Sequence, residues 1–186
     1  MANRITACRF CGGGLTIPFC DLGSTPLANS YITSQTANEP ELVFPLNAVV
    51  CERCFLVQLD YIVEASDIFS DYAYFSSFSS TWMAHATTFA KTAIARHRLG
   101  ADSFVVEVAS NDGYLLRNFV AAGSPCLGVE PAINVAAAAA AIGVPTRTAF
   151  FGRSCAAEIV AEHGHADLIV ANNVLAHVPD LNDFVA

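Results

Sequence analysis

Positive charge is scarce in this chain: Lys and Arg number 9 against 17 Asp and Glu, a formal net charge of -8. A groove for nucleic acid needs clustered cations to neutralise phosphates, so no nucleic-acid partner is expected. Backbone N–H groups still leave room for a small anionic ligand. Long apolar runs are also missing. No stretch reaches the roughly 18 residues that cross a bilayer, and the alanine tract 136–141 is short and flanked by Asn134 and Gly143. The opening Met1-Ala2-Asn3-Arg4 is no targeting leader, so a cytoplasmic protein with no membrane partner is expected, in a reducing compartment. Charged residues of both signs make up only 14% of the chain and apolar ones 54%, which argues against disorder and suffices for one large or two small cores. No internal repeat is present.

What the chain does have is cysteine, seven in 186 residues. Four form two C-x-x-C pairs, Cys8 with Cys11 and Cys51 with Cys54. That spacing lets two thiolates of one tight turn take adjacent corners of a tetrahedron, and two such turns close a four-sulfur site suited to structural zinc. About 39 residues separate the pairs, a longer gap than compact zinc ribbons have. Ordinary buried cysteines or a redox pair are the alternatives. Cys20, Cys126 and Cys155 have no such partner, and hydrophobic packing is their expected role.

Three regions follow along the chain. Residues 1–62 are rich in Gly, Pro and Cys, with short apolar runs such as Leu42-Val43-Phe44. They read as a small β-rich zinc lobe with little core of its own, which needs a staple. Residues 63–102 read as a connecting loop and one long helix, because Trp82, Ala86, Phe89, Ala90, Ala93, Ile94 and His97 recur at three- and four-residue intervals. Residues 103–186 alternate strands (104–109, 126–130, 145–147, 167–172) with helices (114–122, 133–142, 154–163). That alternation predicts an α/β domain, a parallel sheet covered on both faces as in Rossmann-like folds. Its strand count is low for a complete nucleotide-binding sheet, so a fragment of a longer protein is expected.

The candidate cofactor site is the turn after the first parallel strand. Glu107 lies inside that strand; Ala109, Asn111, Asp112 and Gly113 then form a small, polar turn at the carboxyl end of the sheet, where α/β folds bind ligands. Asn111 and Asp112 replace glycines of a dinucleotide fingerprint, which disfavours a pyrophosphate. S-adenosylmethionine fits better, since its sulfonium, amino group and ribose hydroxyls suit carboxylates and amides. Glu130, about 20 residues on and followed by Pro131, is placed to accept the ribose hydroxyls. The alternative is that Glu107 and Glu130 are only strand-end acids. Phe150 and Phe151 either flank an adenine ring or belong to the core.

Taken together, these residues resemble the sugar C-methyltransferases of deoxysugar pathways, which methylate a nucleotide-linked keto-sugar. The resemblance runs through all 186 residues. It rests on the two C-x-x-C pairs and on the strings from Leu22 to Asn29, Asp71 to Ser77, Glu107 to Leu116, Gly128 to Pro131 and Asn172 to Pro179. It implies a zinc lobe, a class I methyltransferase domain and a third, C-terminal domain carrying a further Tyr/His/Glu cluster, with the third part absent and the second unfinished in this chain. The implied reaction removes a proton beside a ketone and methylates the resulting enolate; the implied partner is a nucleotide sugar. His177 is then the candidate base and Tyr72 or Tyr74 the donor to the enolate oxygen, with Asn172 and Asn173 near the amino-acid end of the cofactor. A helix-start role for His177 and simple packing for the tyrosines are the alternatives. At the level of the whole protein, the competing readings are a methyltransferase acting on oxygen or nitrogen and a non-enzymatic zinc-binding interaction module.

Overall fold

Short antiparallel strands fill the first third of the chain, and parallel strands alternating with helices fill the rest. The computed structural model describes residues 3–70 and 72–186, so Asp71 of the tyrosine-rich string lies outside the described residues. The chain divides into two units, one running to Ile68 with Val178–Asn182, the other Phe69–His177 with Asp183–Ala186.

In the first unit, β1 (Asn3–Arg4) precedes a meander of β2 (Ile17–Pro26), β3 (Val43–Val50) and β4 (Val57–Leu59), then β5 (Tyr61–Ile62), which pairs antiparallel with β1. The β2–β3 ladder breaks register twice, between Pro18 and Cys20 and between Asp21 and Ser24. Those irregularities fit a strand containing Pro and Gly. Nearly all of β2 is exposed. The buried apolar residues described in this unit are Cys8, Val49 and Cys51, so two of the three carry sulfur from the C-x-x-C pairs. A short helix, α1 (Ala65–Phe69), follows.

The second unit begins its regular structure with α2 (Ser80–His97), whose first turn is capped by the Ser79 hydroxyl accepting from the Trp82 N–H at 3.2 Å. Then come β6 (Val105–Val108), α3 (Leu116–Ala121), β7 (Cys126–Val129), α4 (Ile133–Ala141), β8 (Thr146–Arg147), α5 (Arg153–His163), β9 (Leu168–Val170) and the short α6 (Leu181–Val185). The four strands are parallel in the order β8-β7-β6-β9. Both faces of the sheet are covered, as the alternation predicts. On one face Val105 packs with Leu115, Leu116, Phe119 and Ala139; on the other, Val106 packs with Leu127, Val129, Cys155 and Ile159. Successive residues of β6 thus enter opposite cores, which is why the strand reads as one continuous apolar run.

The helix of the connecting region packs in this second unit: Ala86, Ala90 and Ala93 of α2 are buried in the same cluster as Phe119. Its small side chains let α2 approach closely. The strands are shorter than their apolar runs, for a local reason. Ala109 takes a left-handed φ of +53° directly after β6, and Asn173 one of +54° shortly after β9, so the chain turns where hydrophobicity alone continues.

Candidate functional site

The four paired cysteines meet. Their sulfurs all lie within 4.8 Å of one another, with Cys8 to Cys54 at 3.7 Å and Cys11 to Cys51 at 3.5 Å. A tetrahedron with Zn–S bonds of about 2.3 Å has S–S edges of about 3.8 Å, so the cluster has the size of a zinc site. The two turns are built alike. The N–H of the first cysteine donates five residues ahead, Cys8 to Gly13 (2.8 Å) and Cys51 to Leu56 (3.0 Å), and its carbonyl accepts from four ahead, Gly12 (3.0 Å) and Phe55 (3.0 Å). That fourth position needs a left-handed backbone, φ +71° at Gly12 and +63° at Phe55. Glycine meets the requirement freely and phenylalanine does so under strain.

The Gln58 amide donates to Cys8 Sγ at 3.1 Å, and the Arg53 N–H to Cys51 Sγ at 3.4 Å. Such donors stabilise thiolates and orient them. Burial raises the Cys8 thiol, but hydrogen bonds from the Cys11 backbone, Gln58, the Phe10 backbone and Cys54 outweigh it and bring it to about 6. At Cys54 the backbone N–H of Leu56 lowers the thiol, yet burial and the three neighbouring sulfurs push it up to about 12. Four crowded sulfurs cannot all carry charge without a cation among them, and four soft donors at tetrahedral spacing fit zinc.

The second site is the carboxyl end of the parallel sheet, where β6 and β9 diverge in strand order. Three alternate residues of the turn after β6 are left-handed: Ala109 (+53°), Asn111 (+51°) and Gly113 (+77°). Glu130, at the end of β7, ties this turn down. Its Oε2 accepts from the Asn111 N–H and its Oε1 from the Ala132 N–H, both at 2.9 Å, across the half-buried Pro131. Burial raises the Glu130 acid and these two N–H groups oppose the shift.

Glu107 is fully buried on β6, and neither carboxylate oxygen has a hydrogen-bond partner. Burial pushes its acid well above the ordinary range; the nearby Tyr114 hydroxyl opposes this, while Glu130 and Asp112 add to it. Ser110 Oγ and Asp112 Oδ1 are buried without partners too. Orphaned acceptors of this kind cost stability unless something donates to them. An acidic set with unused acceptors suits a cationic, hydroxyl-bearing ligand, so these residues fit S-adenosylmethionine, with its ammonium, sulfonium and ribose.

The side chains of Asn111 and Asp112 also have partners within the protein. Asn111 Oδ1 accepts from the Ser76 N–H (2.8 Å), its Nδ2 donates to the Tyr74 carbonyl (3.0 Å), and Asp112 Oδ2 accepts from the Ser77 N–H (3.1 Å). The Asn111 side chain and Asp112 Oδ2 therefore hold the tyrosine-bearing segment, which leaves the turn's backbone and the unpartnered Asp112 Oδ1 for a ligand. In that segment the rings of Tyr72 and Tyr74 lie 6.5 Å apart; Phe69 touches Tyr72 at 5.7 Å and, edge-on, His177 at 6.1 Å. His177 ends a single 3-10 turn after β9, and its N–H donates to the Val174 carbonyl at 2.8 Å. All three residues proposed for chemistry from sequence thus belong to one aromatic cluster.

Asn172 donates through Nδ2 to the Tyr114 hydroxyl at 3.1 Å, and the exposed Asn173 follows it. Phe150 and Phe151 part company: Phe151 packs on the second core and on Phe184 at 5.5 Å, whereas Phe150 is 48% exposed. Two residues of the site escape a sequence reading. Tyr114, buried beside Glu107, reads as an ordinary core aromatic opening a helix. Asn134 reads as the flank of an alanine tract, and only the run Glu130-Pro131-Ala132-Ile133-Asn134 hints that it shares a segment with the cofactor acid.

Comparison with known proteins agrees with this geometry. A family model described as a zinc binding domain matches residues 8–69, and one described as a methyltransferase domain matches residues 82–186. The chain is 35% identical over 183 residues to C-methyltransferase NovU of Streptomyces niveus, covering 98% of this chain and 44% of that protein. The chain thus spans less than half the length of this curated relative. With more than half of its residues matched by the methyltransferase domain, and a four-cysteine zinc lobe ahead of it, the chain belongs to the methyltransferase family.

Proposed function

We propose that this chain carries the cofactor crevice and part of the substrate face of an S-adenosylmethionine-dependent C-methyltransferase. Its acceptor is a carbon next to the keto group of a nucleotide-linked deoxysugar. The observation that carries the cofactor assignment is the buried Glu107 carboxylate without a partner, at the carboxyl end of the central strand and backed by Asp112 and Glu130. S-adenosylmethionine, when bound, supplies a methyl group on a positively charged sulfur. Glu107 answers its positive charge, the backbone at Ala109 and Gly113 lets it approach, and Asn172 and Asn173 face its amino-acid end. Glu130, fixed by two N–H groups, still has lone pairs for ribose hydroxyls. Phe150, and Phe151 behind it, border the adenine.

His177 takes the proton from the carbon beside the ketone, as a general base whose ring nitrogen can accept it. Tyr72 or Tyr74 donates a hydrogen bond to the enolate oxygen as charge develops there. The aromatic contacts that link Tyr72, Phe69 and His177 support this division of labour. Carbon as the acceptor atom is supported by the name of the relative, and the sugar by the sequence strings described above. This chain by itself is expected to be inactive, so the test is product NMR after incubating the full-length enzyme with methyl-13C S-adenosylmethionine and a nucleotide-linked keto-deoxysugar. A new C–CH3 signal supports the reading, whereas an O–CH3 or N–CH3 signal replaces it with a methyltransferase of another acceptor class. In the full-length enzyme, His177→Asn is expected to lower turnover at least about a hundredfold, within the range of lost general-base catalysis, with cofactor affinity within threefold. Unchanged turnover removes His177 from the chemistry.

A further inference from the structure

Asn134, in the first turn of α4, makes a two-point contact with the backbone of Tyr72: the Tyr72 N–H donates to Asn134 Oδ1 at 3.1 Å, and Asn134 Nδ2 donates to the Tyr72 carbonyl at 2.8 Å. The amide thus mimics a strand partner for a residue 62 positions away. The Ile133 N–H donates to the Ser70 carbonyl at 3.3 Å, so this end of the segment is fastened at Ser70 as well as at Tyr72. Its other end is fastened by Asn111 at Tyr74 and Ser76, and by Asp112 at Ser77.

The two anchors are themselves joined. Glu130 accepts from Asn111 through one oxygen and from Ala132, two residues before Asn134, through the other. A closed circuit of hydrogen bonds therefore runs from the tyrosine segment to Asn111, through the Glu130 carboxylate, along 130–134 to Asn134, and back to Tyr72. Backbone groups with defined partners lose conformational freedom. A tyrosine held at both N–H and C=O has its Cα–Cβ direction fixed, which limits the ring to the few positions its side-chain rotamers allow.

We propose that Asn134 is a positioning residue for Tyr72, linking the ring's placement to the segment that carries the cofactor acid Glu130. The clamp itself is structural; its importance for methyl transfer rests on the function proposed above. Both hydrogen bonds of the Asn134 amide go to the backbone of Tyr72, so it acts by orientation rather than by proton transfer.

The test reads the tyrosine directly. The five tyrosines of the chain, labelled as 3-fluorotyrosine, give separate 19F resonances, with the Tyr72 signal identified by Tyr72→Phe. Asn134→Ala is expected to move that resonance toward its unstructured position and to speed exchange of the Tyr72 amide at least tenfold. The Tyr31, Tyr61 and Tyr114 signals should stay in place. Asn134→Asp keeps an acceptor for the Tyr72 N–H and is expected to restore amide protection to within threefold of the parent, a rescue that general destabilisation would not show. If Asn134→Ala does not fold, the parent protein still decides: its Tyr72 amide must exchange at least tenfold more slowly than in an unstructured peptide. A Tyr72 signal unmoved in Asn134→Ala, all five signals moving together, or an unprotected parent amide overturns the proposal. Titrating S-adenosylhomocysteine into the same samples separates the two ideas. Absence of binding overturns the functional reading and leaves the clamp to be judged on Tyr72.

Discussion

The two units obtain their order from opposite sources. In the first, β2 lies almost entirely in solvent, and among the described residues two of the three buried apolar ones are cysteines of the sulfur cluster. In the second, two apolar clusters sandwich a parallel sheet, and Phe119, Leu115, Leu116 and Val105 are fully buried. A small antiparallel meander cannot bury enough surface to offset its chain entropy, so metal ligation takes over the task of a core. The α/β unit has the surface to spare. It can therefore carry an unpaired buried acid and three left-handed residues at the turn after β6, features that cost stability and that the surrounding packing over-determines.

That contrast can be broken from either side. Removing the metal, by chelation or by Cys51→Ser, is expected to have the largest effect, since structural zinc supplies apparent free energies of about 10–16 kcal/mol in small zinc domains. Amide NMR signals of 43–62 should collapse while those of 104–170 persist; a metal-free protein with an intact first-unit spectrum would refute the assignment. Phe119→Ala works in the other direction. Deleting a fully buried aromatic costs about 3–5 kcal/mol, which should appear as a lower denaturation midpoint of the α/β unit with zinc stoichiometry unchanged by metal analysis. The smallest effect belongs to Phe55→Gly. Relief of a left-handed phenylalanine, partly offset by the entropy of glycine, should stabilise the zinc lobe by about 1 kcal/mol or less, measured as slower release of zinc to a chelator.

The same contrast explains what the sequence discloses. The C-x-x-C pairs are legible because two ligands of each turn are local, and the sheet is legible because Val105-Val106 and Leu127-Gly128-Val129 are apolar on both faces. Glu107 and Glu130 stand out as acids within such runs. Element ends are less legible, since Ala109 and Asn173 leave the strand conformation by backbone choice and not by composition. Ala86, Ala90 and Ala93 of α2 fall on the three- and four-residue periodicity of the sequence, but periodicity does not disclose that they pack against Phe119. Asn111 and Asn134 are the clearest loss: their partners are 35 to 62 residues distant in the chain, and only the folded turn brings each amide to the tyrosine segment.

The central claim is that Glu107 on β6 and Glu130 just after β7 receive a positively charged adenosyl ligand, and the direct measurement is calorimetric titration of S-adenosylmethionine into the zinc-loaded chain and into Glu107→Gln. Burial raises the Glu107 acid in the folded chain, so the cost of ionising it grows as pH climbs from the ordinary value of 4.5 through the raised one. The ligand-free Gln variant should accordingly gain thermal stability over the parent toward pH 8 and lose that advantage near pH 4. The ligand's ammonium group favours the ionised acid, and losing a charged hydrogen bond should weaken binding about ten- to a hundredfold. Saturable one-site binding by the parent, weakened in Glu107→Gln, is the predicted result. No saturable binding by the parent, or equal affinity in both proteins, would contradict the claim.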